Sequence, residues 1–266
     1  MSQKRQCAIL DHRADPSAHL TALVHDYPQK YRVPWHFHEW DQLVYASRGV
    51  MTIQTEEETW VVPTQRAVWI PAWIAHTIAM SGVVAMRTLY LKPRLAKLLP
   101  RSCCVVNVSP LLRELILNAC RSATLKRVVA RERHLIDIIL DQLETIRMVP
   151  LQLGNPSDPR ARRVAEALSA NPSDRRSFTE ICKLAGASKR TVERLFREEL
   201  GMTLGKWRQQ LRLMEAMRLL AEGAKVTHAA LEAGYSTPSA FIAMFGKTLG
   251  TTPAAYFRAG REAKYD

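Results

Sequence analysis

Arg190, Glu193, Arg194 and Arg197 fall at i, i+3, i+4 and i+7, so a helix would carry all four on one face. Val192, Leu195, Phe196 and Leu200 would form its buried stripe. An Arg guanidinium can give two parallel hydrogen bonds to guanine O6 and N7, and a Glu carboxylate can accept from cytosine N4. Taken alone, such a face is usually just solvated. Its surroundings, however, occur twice. Ala185-Gly186-Ala187-Ser188 is followed by Phe196, Leu200-Gly201, Thr203 and Trp207, and Ala233-Gly234-Tyr235-Ser236 by Phe245, Leu249-Gly250, Thr252 and Tyr256. Each copy has the form of a helix-turn-helix, the motif whose second helix enters the DNA major groove. Ser188 is placed to cap the first such helix, beside Lys189.

The second copy lacks the charges. Ser239, Ile242, Ala243 and Gly246 stand where the first has Arg190, Glu193, Arg194 and Arg197. Its buried stripe would be Phe241, Met244, Phe245 and Leu249. That helix offers small-residue contacts and apolar contact to thymine methyls, but few base-edge hydrogen bonds. The first helix is therefore expected to carry most of the specificity. The second would fix register through backbone contacts, for example from Thr237 and Lys247.

A second set of chemistry-bearing residues lies near the N-terminus, in Pro34-Trp-His36-Phe-His38-Glu-Trp40-Asp-Gln42. In an unbroken strand His36, His38, Trp40 and Gln42 would share a face, and His76 follows from a later strand. Imidazoles and an amide converging inside a small barrel could hold one divalent transition metal with an open position. Alternatively, the histidines are satisfied polar residues or line an organic-ligand pocket. Trp35, Trp40, Trp69 and Trp73 could wall such a pocket or simply be core. Glu39 and Asp41 would face away, leaving no general base beside the histidines.

The elements that must position these residues change character along the chain. Residues 20–107 read as short strands: Leu43–Tyr45, Val50–Ile53, Thr59–Val62, Ala67–Ile70, His76–Met80 and Val84–Leu91. Ser47-Arg48-Gly49, Glu56-Glu57, Pro63-Thr64-Gln65 and Ser81-Gly82 read as the turns between them, as in a sandwich or small barrel. From Pro110 the period is helical. Leu112, Leu115, Ile116 and Ala119 share one face, and Leu135, Ile138, Ile139, Gln142, Leu143 and Ile146 another. This second helix could dimerise two chains or cover the barrel. Val149 to Arg160, with Pro150, Gly154, Pro156 and Pro159, reads as a linker. Thr203 to Glu222 would join the two helix-turn-helix units, packed by Trp207, Leu211 and Met214 and ended by Gly223.

Length, 266 residues, allows two ordinary domains, and 47% hydrophobic with 24% charged residues is normal for a globular protein. A net charge of +13 favours a polyanionic partner. It does not locate one, splitting to roughly +6 before Asn155 and roughly +7 after. No apolar run spans a bilayer, and no apolar core follows Lys4 and Arg5, so neither membrane span nor signal peptide is expected. Five irregularly spaced cysteines, among them Cys103-Cys104 and Cys182, fit a reducing cytoplasm and burial rather than a disulfide scaffold.

Residues from about 160 to 258 resemble the tandem helix-turn-helix domain of the AraC/XylS transcription regulators. The resemblance rests on Ser188 to Gly201, Arg212, Ala216, Gly234-Tyr235-Ser236, Phe241, Phe245, Gly250 and Thr252-Pro253, with Cys182 where that family usually has Ala. Residues 20–107 resemble the cupins. His36, His38, Gln42 and Gly49 match the first motif, with Gln42 where Glu is usual, and Pro71 and His76 match the second, with Trp73 where Gly is usual.

These resemblances imply an α+β multi-domain fold. It would comprise an N-terminal cupin β-barrel (1–107), connecting helices that could also dimerise two chains (108–149), a linker (150–159) and an all-α tandem helix-turn-helix domain (160–266). The cupin metal positions map to His36, His38, Gln42 and His76, with Trp40, Gln42, Trp69 and Trp73 as effector-pocket residues. The regulator family implies double-stranded DNA and RNA polymerase as partners, a small-molecule or metal effector, and binding as paired subunits or as a monomer on single sites. Other readings are a metal-dependent cupin enzyme with a DNA-binding tail, or an architectural DNA protein with an inert barrel.

Overall fold

The computed structural model describes residues 8–9, 17–97, 99–144 and 152–259. Lys4, Arg5, Ile146, Val149 and Pro150 lie outside them. The strands are β1 (Ala8–Ile9), β2 (Leu20–Tyr27), β3 (Arg32–Phe37), β4 (Asp41–Gln54), β5 (Glu58–Val62), β6 (Arg66–Ile70), β7 (His76–Leu91), β8 (Cys104–Asn107), β9 (Thr124–Leu125) and β10 (Gln152–Gly154). The helices are α1 (Pro110–Ser122), α2 (Ala130–Glu144), α3 (Pro159–Ala170), α4 (Phe178–Leu184), α5 (Lys189–Leu200), α6 (Leu204–Ala221), α7 (Val226–Glu232), α8 (Pro238–Leu249) and α9 (Pro253–Ala259). Contacts divide the chain into two compact units, Met1–Thr55 with Val62–Pro150, and Glu56–Val61 with Leu151–Asp266.

In the first unit β7 pairs antiparallel with β2, β3 and β4, β4 with β6, and β6 with β8. Two strands are longer than the sequence predicts. Ser47-Arg48-Gly49 lies inside β4 and Ser81-Gly82 inside β7. Gly49 (φ 82°) and Gly82 (φ 73°) are left-handed, and the β4–β7 register shifts between Ala46 and Val50. The turn residues therefore serve as a bulge within a continuous ladder.

Leu43, Tyr45, Leu89, Leu91 and Trp69 pack with Leu112 and Ile116 of α1 and with Ile136, Ile139 and Leu143 of α2. Each buried Leu or Ile contributes about 1.5–3 kcal/mol. α2 thus covers the sheet, with a stripe shifted from the expected one: Ile136, Ile139, Leu140 and Leu143 are buried, while Ile138 is 44% exposed.

In the second unit β10 falls within the expected linker and pairs antiparallel with β5, Leu153 opposite Thr59. Asp158 caps α3 by accepting from Arg160 N, and Pro159 supplies the first helical residue. α4 begins with a capping box, Ser177 and Glu180. α6 starts at the Thr203 cap and buries Trp207, Leu211 and Met214 as expected. The Trp207 indole N–H donates to Gly154 O at 2.9 Å, and Arg212 Nε to Pro172 O at 3.0 Å.

Candidate functional site

The helix-turn-helix repeat is reproduced in backbone detail. α5 and α8 each run for twelve residues. Ser188 Oγ accepts from Thr191 N and Thr237 Oγ1 from Ala240 N, both at 3.1 Å. The turn glycines Gly186 (φ 74°) and Gly234 (φ 88°) and the terminal glycines Gly201 (φ 64°) and Gly250 (φ 75°) are all left-handed. Phe196 packs edge-on to Trp207, and Phe245 edge-on to Tyr256, with ring centres 5.6 and 5.4 Å apart.

On α5, Ser188, Lys189, Arg190, Arg194 and Arg197 are exposed. The Arg194 guanidinium donates to Glu198 Oε2 at 2.5 Å, a partner the sequence reading missed although it stands at i+4. Glu193 is less available than expected. It is half-buried, and its Oε2 is shielded and lacks a hydrogen-bond partner. Its charge, second to burial, helps raise the pKa of the nearby Cys182 thiol. To accept from a cytosine amino group it must rotate outward. On α8, Ser239, Ile242, Ala243 and Lys247 are exposed beside the Thr237 cap, so the outer face is uncharged until Lys247.

In the first unit the strand carrying the histidines is broken, since β3 ends at Phe37 and β4 begins at Asp41. The break still brings His36, His38 and His76 together. All three are buried, and one ring nitrogen of each lies within 4.8 Å of the others. β3 and β7 pair His36 directly opposite His76, with ring centres 4.2 Å apart. His36 Nδ1 lies 2.8 Å from Pro34 O, His76 Nδ1 2.9 Å from Ile74 O, and His38 Nδ1 2.6 Å from Trp40 O. A carbonyl can only accept, so each neutral ring keeps its proton on Nδ1 and leaves a lone pair on Nε2. Backbone anchoring of this kind orients histidine ligands in metal sites.

His76 Nε2 is buried with no hydrogen-bond partner. Burial, reinforced by the neighbouring His36, pushes His76 down to about 3. Burial also lowers His38. Burial thus favours the neutral form of His38 and His76, the form that binds a metal ion. An orphaned inward lone pair beside two further imidazoles fits a divalent transition metal.

Gln42, the fourth expected ligand, lies beside the cluster. Its buried amide lies against His38, with Oε1 2.8 Å from His38 Nε2 and Nε2 3.1 Å from the Tyr90 hydroxyl. With Nδ1–H already on Trp40 O, an acceptor at Nε2 would demand a doubly protonated ring, which burial opposes. The neutral site is satisfied by the turned amide, NH₂ toward His38 and oxygen toward Tyr90. Tyr90 was not legible as a site residue because only the β4–β7 register sets it opposite Gln42.

Of the expected effector-pocket residues, Trp69 and Trp73 line a cleft of about 630 Å³. Gln42 belongs to the histidine cluster, and Trp40 reaches that cluster through its carbonyl. Cys104 and Cys182 are buried, and burial pushes Cys104 up to about 11, which makes both poor thiolates. Among the described residues no helix is long and apolar enough to cross a membrane.

Fold and sites define a two-part molecule, a ligand-pocket β unit and a DNA-reading helical unit. Comparison with known proteins agrees. Residues 18–145 match the AraC-like ligand binding domain, and residues 181–259 match a helix-turn-helix domain. The chain is 33% identical over 246 residues to the HTH-type transcriptional regulator NimR of Escherichia coli K12, covering 91% of this chain and 90% of NimR. It is 23% identical over 238 residues to the transcriptional activator RhaR of Mannheimia succiniciproducens, covering 84% of this chain and 86% of RhaR. Among solved structures, ToxT of Vibrio cholerae strain SCE256 aligns over 90% of this chain and 94% of its own at 10% identity, with a TM-score of 0.38. The chain belongs to the AraC family of transcriptional regulators.

Proposed function

We infer that this regulator is a one-component sensor whose N-terminal unit takes up a small effector or a divalent transition metal and whose DNA binding follows that event. The observation that carries the reading is the histidine cluster, three buried imidazoles held by backbone carbonyls with the His76 lone pair unspent. His36, His38 and His76 would hold the cation, with the Gln42 amide giving up its hydrogen bond to His38 Nε2 so that this lone pair can reach the cation. A cation on three nitrogens would keep a coordination position open for an oxygen or nitrogen of an effector. For such binding to switch transcription, the ligand must favour one arrangement of the chain over another.

A sensing role is favoured over an enzymatic one because, among the described residues, no uncommitted carboxylate adjoins the cluster. Both oxygens of the nearby Asp41 carboxylate are occupied by backbone N–H groups, from Ala72 at 2.9 Å and Arg94 at 3.3 Å. In this reading the protein works in the cytoplasm on double-stranded DNA, contacts RNA polymerase and controls promoters of nearby genes. It binds as a homodimer, for which the exposed Ile138 on α2 offers an apolar contact. α5 reads bases through Arg190, Arg194 and Arg197, with Ser188 and Lys189 beside the backbone. Thr237, Ser239 and Lys247 fix the register of α8.

The test is sequencing of genomic fragments captured by the purified protein at near-physiological salt, with and without a chelator. A few sharp sites whose recovery changes with chelator are expected. Diffuse capture without a recurring sequence would overturn the specific-regulator reading.

A further inference from the structure

We propose that the cleft beside Trp69 and Trp73 is a binding site for a ring-bearing organic anion, such as an aromatic carboxylate, separate from the histidine cluster. Its 630 Å³ lies within the usual range for small-ligand pockets, about 300–1,000 Å³. One wall is the loop after β6, which carries Trp73. The other is formed after β7 by Pro93, Arg94, Ala96 and Lys97, and by Leu99–Arg101. Trp69 and its cross-strand neighbour Leu43 face α1 and α2, whereas Gln42, one residue away along β4, faces the histidines. The cleft therefore opens on the opposite side of β4 and β6 from the histidine cluster.

The lining has both halves of the needed chemistry. Trp69 is almost fully buried and its indole N–H is already donated to Pro100 O at 3.2 Å, so it offers the cleft no free donor. Trp73 is 59% exposed and held at φ 70°, a conformation costly for a bulky residue. Arg94, on the opposite wall, is also left-handed, at φ 66°. Asp41 fastens the two walls together by accepting from Ala72 N and Arg94 N, which holds both strained residues at the cleft. The charged side chains Arg94, Lys97 and Arg101 are exposed, and among the described residues none of them is in a salt bridge. Three cations against one committed carboxylate select for an anion, and an exposed indole selects for a flat, apolar body.

The experiment is calorimetric titration of the full-length protein with 2-naphthoate and with its neutral counterpart 2-naphthamide. One naphthoate per chain should bind, with the amide about tenfold weaker. Trp73→Ala and Lys97→Glu, both at exposed positions that leave the core intact, should each weaken naphthoate by about tenfold. A chelator should leave the affinity unchanged. Absence of saturable binding, equal affinity for acid and amide, or indifference to both substitutions would overturn the proposal. So would binding that requires added divalent metal, which would place the carboxylate among the histidines. None of these results bears on DNA capture, so this site and the sensing reading fail separately.

Discussion

Arg194 reaches solvent from α5 while paired with Glu198, both side chains more than half exposed. An exposed i,i+4 pair contributes only about 0.3–0.5 kcal/mol, so a guanine can take Arg194 from Glu198 at little cost. Arg194→Ala should therefore lose about 1–3 kcal/mol of discrimination between target and mismatched sites. Ser239→Ala on α8 should change discrimination far less. Competition binding with single-base variants of a target site checks both, and unchanged discrimination in Arg194→Ala would refute the division of labour between the helices. A second residue-scale prediction concerns His76. Its folded pKa, about 3, is depressed from 6.5, so between those values the unfolded chain binds the extra proton. Stability is thus fully present above about pH 6.5 and lost as pH falls toward 3. Urea midpoints of the metal-free protein should rise from pH 4 to pH 7, and His76→Gln should flatten that rise.

At the scale of elements, glycines separate two kinds of constraint. A Cβ on Gly234 would stand 2.8 Å from Pro172 O and from Ser173 Cα, at φ 88°. One on Gly201, at φ 64°, would meet nothing within 4 Å. Gly201→Ala should therefore cost about 1–2 kcal/mol, the left-handed penalty alone. Gly234→Ala should cost clearly more, because backbone must move, and denaturation midpoints of the two variants measure the difference. The same geometry shows what the sequence could and could not tell. Turn and bulge both ask for a left-handed glycine, so Gly49 and Gly82 read as turns although β4 and β7 run straight through them. α2 carries two overlapping apolar stripes, and only packing against Leu112 and Ile116 decides that Ile136 and Leu140, rather than Ile138, turn inward. The helix-turn-helix units were legible because caps, turn glycines and aromatic contacts are local and repeated. Tyr90 beside Gln42, and Asp41 bridging two loops, depend on strand register and loop closure, which no local pattern encodes.

At the scale of the molecule, the proposed function requires that the state of the histidine cluster set the affinity for DNA. It is tested by measuring the affinity of the full-length protein for one captured site, with added Zn²⁺ and with chelator, for the native chain and His76→Gln. A useful coupling is about 5–150-fold. The native chain should show a difference of that order, and His76→Gln none. Equal affinities for the native chain under both conditions, or a variant that responds as the native chain does, would contradict metal-coupled DNA binding.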